Sequence, residues 1–438
     1  MGPGQPLPSQ RQHPAPAVTA HMNRLRAVIT GIGMLAPGGT GLTQFWQTVF
    51  SGNSQVRQDP RMASLGLAST VSAPLSQASS TALDDAAGHS RLERLAAASS
   101  AMAAADAALP HLHDAGYIFS STLGGICEVQ YAYQRATDNG QAPLQGHRAR
   151  PEFYNAVSID HIPASFARAR QMHGPCLALS TGCSTGLDAL GLAVDLIREG
   201  TAPVMLVGAA DSLLSELPCA MMDALGVLSR YPGPARGASR PFSQDRSGFV
   251  VSEGSACLVI EEMEHARTRQ RPAYAEITGF HSLMNAYHMT HLPPDGAAMA
   301  ETVRGALHDA ATDSSEIDCV FAHGTGTRQN DVFETRAFHT VFGPRAPGTP
   351  VISVKSVLGH AHAPANLHSV IAAAGAMRWA MLPPTINIGI PDPDCDLDYV
   401  PHHARPADIQ TALITASGLG GYHSAAVLRS ASTKNLTA

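Results

Sequence analysis

Aromatic residues make up only 5% of this 438-residue chain and charged residues only 15%. Few aromatic faces means few platforms on which the bases of a nucleic acid can stack. The net charge of −6 argues against any polyanion as the main partner. A local basic patch can still receive a small acidic protein, because net charge does not fix its own distribution. Uncharged apolar runs of about 18 residues, the length a membrane helix needs, are also missing. The most apolar late stretch, IAAAGAMRWAML, carries Arg378, so no membrane span is expected. Residues 1–25 are rich in Pro, Gln and Ala and lack the apolar centre of a secretory signal, so they read as a disordered leader. The seven cysteines are odd in number and scattered, which makes no disulfide framework and points to the cytoplasm.

What the chain has is apolar residues, 44% of the total, with abundant Ala and Gly, the composition of a large, closely packed interior. Order is expected from Arg26. RAVITGIGM reads as a strand, and LTQFWQTVF as a helix closing at Gly52. Residues 54–90 read as loop, RLERLAAASSAMAAADAAL as a long helix, YIFSSTLGG as a strand entering a glycine turn, and 134–152 as a surface excursion. CLALST, APVMLVGAA, SEGSACLVIEE and AYAEITGFHSL follow as strands, the last two split by EHARTRQRP. A second series continues with MAETVRGALHDA (helix), CVFAH (strand), NDVFETRAFHTVF (helix), PVISV (strand) and ANLHSVIAAAGAMRW (helix). TALITAS and HSAAVLR close it around a glycine turn. Strands alternating with helices predict an α/β protein with sheets covered on both faces. The two series suggest two similar halves, 26–263 carrying a nucleophilic cysteine and 264–432 carrying two histidines, with 433–438 as a tail.

CLALSTGCSTGLDALGLAVDLIREG is the most informative segment. An apolar strand runs into Thr181–Gly182, and a helix is predicted from Cys183, with Leu187, Leu190, Val194 and Ile197 at helical spacing and Gly200 as its stop. A thiol at a helix N-terminus meets the positive end of the backbone dipole, which favours thiolate. Small neighbours (Gly182, Ser184, Gly186) let a substrate approach backbone amides able to hold an oxyanion. Cys127, Cys176, Cys219, Cys257, Cys319 and Cys395 lack this setting and read as buried, inert thiols.

A nucleophilic cysteine needs partners that manage protons. His323 follows IDCVFA and precedes GTGT, and His360 follows PVISVKSVLG, with Lys355 five residues earlier. Both sit at or just past strand ends, where α/β sites assemble. Thr325 and Thr327 can hydrogen-bond an amide-bearing ligand arm. Asp331 and Glu334 open the next helix, where they suit its dipole and are expected to pair with Lys355. His360, His362 and His368 form a histidine cluster, but one with no carboxylate and no standard ligand spacing, so no metal is expected.

Together these segments resemble the β-ketoacyl synthase family of the thiolase superfamily, from Arg26 to about Ser430. STGCSTGLDA resembles its nucleophile motif, AHGTGTRQNDVFE its first histidine motif and SVKSVLGH its lysine–histidine motif. RAVITGIGMLAPGG, SRPFSQDRSGFVVSEGSACLVIE, LPPTINIGIPDPDCDLDYVP and SGLGGYHSAAVL also match. STGC, GAAD (208–211) and NAYHMTHLPPDG lean toward the ketosynthase subunits of type II polyketide synthases rather than housekeeping fatty-acid enzymes.

The resemblance implies a thiolase-like fold of two pseudo-repeated halves in five α-β-α-β-α layers, as a homodimer or as a heterodimer with a chain-length-factor-like subunit. It implies that Cys183 takes an acyl group from an acyl carrier protein, and that His323 and His360 then bind the carbonyl of a malonyl thioester that loses CO2. Lys355 would support the histidines. The amides of Cys183 and Leu419 would form the oxyanion hole, with Gly418 and Gly420 supporting that turn. No cofactor is implied beyond the carrier's phosphopantetheine, and Arg148, Arg150, Arg230 and Arg236 are candidates for its docking rim. Retention of the cysteine separates the chain from chain-length-factor paralogues, which resemble ketosynthases but replace it. Four positions depart from the family pattern. Ala363 and Asn366 stand where glycines are usual, Ser369 where a glutamate is usual, and Leu419 where a phenylalanine gate is usual. These departures keep open an acyltransferase that does not decarboxylate, and a non-catalytic partner subunit.

Overall fold

The structure, a computed structural model, describes residues 24–84, 88, 90–144, 154 and 158–431. The expected leader (but for its last two residues), all of the expected tail, and much of the 134–152 excursion lie outside the described residues.

Ten strands carry the architecture: β1 (Ala27–Ala36), β2 (Ala115–Ser120), β3 (Cys176–Leu179), β4 (Val204–Ser212), β5 (Glu253–Glu262), β6 (Ala275–Met284), β7 (Cys319–Phe321), β8 (Val351–Ile352), β9 (Thr411–Gly418) and β10 (Tyr422–Ser430). They lie in the order β8-β7-β9-β10-β6-β1-β5-β4-β2-β3, with the two-residue strand Gly39–Thr40 added beside β1. The order contains one five-strand pattern twice. In β3-β2-β4-β5-β1 the strand β2 is parallel to both neighbours, and the pairs β4–β5 and β5–β1 are antiparallel. In β8-β7-β9-β10-β6 the same relations recur in the same places. The halves join through one short antiparallel contact, Ala27–Ile29 against Ala275–Ile277.

Helices fill the layers around these sheets. Five are long, the first four being α1 (Arg91–Asp106), α2 (Thr185–Arg198), α3 (Ala297–Asp309) and α4 (Arg328–Phe342). A single turn, α5 (Lys355–Leu358), precedes the long α6 (Ala363–Trp379). Helix α1 opens with a capping box in which Ser90 and Glu93 satisfy each other's backbone amides. It packs Leu92, Leu95 and Ala103 against Tyr117 and Phe119 on the outer face of the first sheet. On the second sheet, Val303 of α3 and Phe333 and Phe338 of α4 do the same. Between the sheets, Leu187, Leu190, Val194 and Ile197 of α2 meet Leu367, Val370 and Ile371 of α6 in the largest core. Residues 363–376 of α6 are buried all round, which is why their sequence shows no polar face. The result is the five-layer α-β-α-β-α arrangement.

Several local expectations need correction. Helix α2 starts at Thr185, so Cys183 lies in the turn before it. PVISV supplies only two strand residues because the chain turns into α5. The expected loop 54–90 contains the short helices Pro60–Ser64 and Gln77–Ala82, and Ile126–Ala136 forms a helix beyond those expected. Strand β3 is a sheet edge, with Leu177 41% exposed. Among the described residues no helix is long and apolar enough to cross a membrane.

The two central helices nearly touch. A methyl group on Gly186 would sit 2.4 Å from the carbonyl oxygen of Ala363, closer than any side chain tolerates. Gly186→Ala should therefore lower stability by about 1–3 kcal/mol in urea titration. Trimming the facing residue as well (Gly186→Ala with Ala363→Gly) should not restore it, since the clash is with backbone. Rescue by the second change would show that the crossing is looser than described.

Candidate active site

Cys183 sits where the chain leaves β3 and turns into α2. The turn uses Gly182 at φ 64, a left-handed value that favours glycine. Ser184 Oγ donates to the Thr181 carbonyl at 2.9 Å and to Asp188 at 3.2 Å, which closes the turn on itself. From the second half, the end of β9 presses against it: a Cβ on Gly418 would lie 3.3 Å from the Cys183 amide nitrogen. Glycine there lets the Leu419 turn come alongside that amide. The half-buried Cys183 lines a cavity of about 710 Å³, together with Phe249, His323, His360, His362 and Leu419.

His323 is delivered by the end of β7 and fixed from behind. Its amide and that of Gly324 donate to the two oxygens of Glu334 at 2.8 and 2.7 Å, and Thr415 Oγ1 donates to the same carboxylate at 2.7 Å. His360 is tied to Val250 and Ser252 by backbone hydrogen bonds of 2.8 and 3.0 Å. Its Nδ1 accepts the amide of His362 at 3.3 Å. A ring nitrogen that accepts cannot carry the proton, so the proton of His360 is on Nε2. The His323 and His360 rings stand nearly perpendicular, with centroids 5.4 Å apart.

Burial dominates the electrostatics. Desolvation, followed by the charge of Lys355, holds His323 well below its ordinary 6.5. His360 is held well below it by desolvation, then by His362, His323 and Lys355. Both are neutral at pH 7. Lys355 is 2% exposed, and its Nζ has no hydrogen-bond partner. Burial pulls it down to about 8 against the opposing pull of Glu334, Cys183 and Asp331. Cys183 overturns the expected resting thiolate: burial and then Asp211 push it up to about 12, with Lys355 pulling the other way. Desolvation outweighs the dipole of a helix that begins two residues later.

The expected pairing of Asp331 and Glu334 with Lys355 is also corrected. Glu334 serves the His323 loop. Asp331 accepts the amides of Phe242 and Gly326 at 2.7 and 3.2 Å and faces Arg246 at 3.5 Å. Backbone amides within hydrogen-bond distance compete better for these carboxylates than a lysine outside hydrogen-bond reach. Thr325 and Thr327 line the cavity, their hydroxyls 3.0 Å apart. Leu419 is 44% exposed at its wall, and the amide of Gly420 donates to Met289 at 2.7 Å. Arg230 also lines the cavity, Arg236 lies in the one-turn helix Ala235–Gly237, and Arg148 and Arg150 lie outside the described residues.

Three further residues matter here that the sequence names without giving them a role in the site. Asp211 is fully buried and accepts from Ser121 Oγ (2.6 Å), the Thr122 amide (3.1 Å) and the Ala363 amide (2.9 Å), tying the nucleophile's neighbourhood to the start of α6. Asn366 Nδ2 donates to the Cys183 carbonyl at 2.5 Å. His362 places Nδ1 3.7 Å from Cys183 Sγ. Donor atoms of Cys183, His360 and His362 lie within 4.8 Å of one another, whereas His368 turns away to the Ser255 carbonyl at 3.4 Å. The available signal was a histidine immediately before a helix with proline in its first turn, in HAHAPAN.

A thiol and two neutral imidazoles, delivered by matching ends of a duplicated fold, define a condensing enzyme of thiolase-like architecture. Residues 25–266 match the beta-ketoacyl synthase N-terminal domain and residues 274–389 its C-terminal domain. The chain belongs to the β-ketoacyl synthase family. It is 37% identical over 421 residues to the tetracenomycin polyketide synthase ketoacyl synthase alpha subunit of Streptomyces glaucescens, covering 94% of this chain and 98% of that protein. A type II polyketide ketosynthase solved in complex with its acyl carrier protein and bound to the hexaketide superposes with a TM-score of 0.88 at 35% identity, over 93% of this chain and all of that one. The ishigamide ketosynthase/chain length factor gives 0.83 at 29% identity, over 93% of this chain and 100% of that one.

The buried histidines set an acid limit on stability. Desolvation brings His362, His368 and His423 to about 4 and holds His323 and His360 well below 6.5. As pH falls, the unfolded chain therefore binds protons first. The stability these groups contribute is complete above 6.5 and is lost toward 4. Asp211 and Asp331, raised to about 6 by burial, and Asp188 and Asp195, also raised by burial, act oppositely but are four against five. The urea midpoint should fall steadily from pH 7 to pH 5; a flat or rising midpoint would contradict these assignments.

Proposed function

We propose that the chain is the decarboxylating ketosynthase of a type II polyketide assembly system, with Cys183, His323, His360 and Lys355 as its catalytic set. The observation that carries this reading is one cavity holding a thiol at a helix start and, beside it, an imidazole whose proton must be on Nε2. The acyl group moves from the carrier's phosphopantetheine thiol to Cys183, and the carrier leaves. A malonyl thioester then enters, and Nε2–H of His360, together with His323, donates to its carbonyl oxygen. The bond to the carboxylate breaks, CO2 departs, and the electron pair passes through the enolate to attack the acyl carbonyl on Cys183. The amides of Cys183 and Leu419 hold the resulting oxyanion, which collapses and releases the sulfur. Neutral imidazoles suit this task, since they donate hydrogen bonds without a charge that must be desolvated. Lys355 supplies positive potential to a step that develops negative charge.

The substrates travel on a carrier, so the chemistry needs no further cofactor and belongs in the cytoplasm. Arg230 and Arg328 at the cavity edge suit an acidic carrier protein. The exposed apolar edge strand β3 favours a second subunit, either another copy or a chain-length-factor-like partner, because an unpaired apolar edge left in water invites pairing. Thr325 and Thr327 offer hydroxyls to the amides of the phosphopantetheine arm. Ser369 and Leu419, in place of an acid and an aromatic gate, favour a second reading in which the acyl group is transferred without loss of CO2.

Purified enzyme given malonyl-carrier protein should release CO2. Intact acyl loading without release would overturn condensation in favour of that second reading. Cys183→Ala should show no acyl adduct by mass spectrometry. His323→Ala and His360→Ala should load acyl groups yet release CO2 at least about 10²-fold more slowly.

A further inference from the structure

The proposed reaction leaves His362 without a task, although it is the residue that touches the nucleophile. Its Nδ1 is 3.7 Å from Cys183 Sγ, the side chain is 4% exposed, and its Nε2 is buried with no hydrogen-bond partner. The backbone holds it under strain, at φ 62 and ψ −116, in the position capping α6. Strain of this kind persists only where the surroundings enforce it. Here they do: the His362 amide is bound to His360 Nδ1, the Ala363 amide to Asp211, and Pro364 follows in the first turn. The ring lies 4.7 Å from that of His360 at 20°, and Phe249 meets it edge-on at 5.6 Å. One turn on, Asn366 grips the Cys183 carbonyl. The thiol and the imidazole are thus each held in place, facing one another.

We propose that His362 is the general base of the loading half-reaction, taking the Cys183 proton on Nδ1 while sulfur attacks the incoming acyl thioester. The inference rests on the ketosynthase reading above. In the step, the S–H bond breaks as the proton passes to Nδ1, and the Cys183 sulfur forms a bond to the acyl carbon. The acyl carbon's bond to the carrier's sulfur then breaks, and the departing thiolate takes the proton back from His362. Nothing is oxidised or reduced. His360 cannot do this at the nitrogen it keeps protonated. A base is needed because burial keeps Cys183 a thiol, at about 12, in the resting enzyme. His362, brought to about 4 by the same burial, is too weak to hold a standing ion pair, so transfer accompanies attack on the thioester.

The test follows acyl transfer from acyl-carrier protein to Cys183 by rapid-quench mass spectrometry, in wild type and in H362L and H362Q. In folded variants, loading should slow roughly 10²- to 10⁴-fold, while condensation from enzyme acylated by prolonged incubation slows far less. Wild-type loading should also be slower in D2O than in H2O, a readout that needs no variant to fold. Loading at the wild-type rate in either folded variant, or wild-type loading that is equal or faster in D2O, overturns the role of His362 and leaves the ketosynthase reading standing. Failure of the wild type to form any acyl adduct would sink both.

Discussion

The contact on which the site depends is the crossing of the two central helices at their N-termini. One helix begins just after the nucleophile and the other just after the second histidine loop, and glycine at position 186 lets their backbones meet. Asp211 accepts the Ala363 amide at the start of the second helix, and Asn366 ties that helix to the Cys183 carbonyl. A cysteine from one half of a duplicated fold is thereby brought against imidazoles from the other. Neither half contains the chemistry alone.

The same crossing buries the site's titratable groups, and burial decides their protonation states. Burial keeps the thiol protonated, the imidazoles neutral and the lysine only weakly basic, each by penalising its charged form. Positive charge is thus disfavoured on the imidazoles of the resting site. Lys355, buried without a hydrogen-bond partner, is the exception. Its potential lowers the thiol and disfavours positively charged histidines at the same time, so one unpaired cation favours both states the reaction needs.

Much of this was legible in the sequence. The strand–glycine–cysteine–helix pattern, the two histidines past strand ends and the doubled alternation of strands and helices follow from local rules, and the structure places Cys183, His323 and His360 in one cavity. What local rules could not supply was competition. The dipole argument for a thiolate ignored the cost of desolvation, which only the packed layers reveal. Asp331 and Glu334 looked like lysine partners until the loops they cap were seen to need every oxygen they have. Spacing alone groups His362 with His368 in one histidine cluster, but helix α6 sends the two side chains to different places.

A structure of the enzyme with Cys183 acylated and a malonyl thioester analogue that cannot lose CO2 tests the account most directly. The analogue's thioester oxygen should lie about 2.7–3.2 Å from both His323 and His360, with the acyl oxygen facing the amides of Cys183 and Leu419. An analogue whose carbonyl is bound elsewhere, with either imidazole out of reach, would contradict the account.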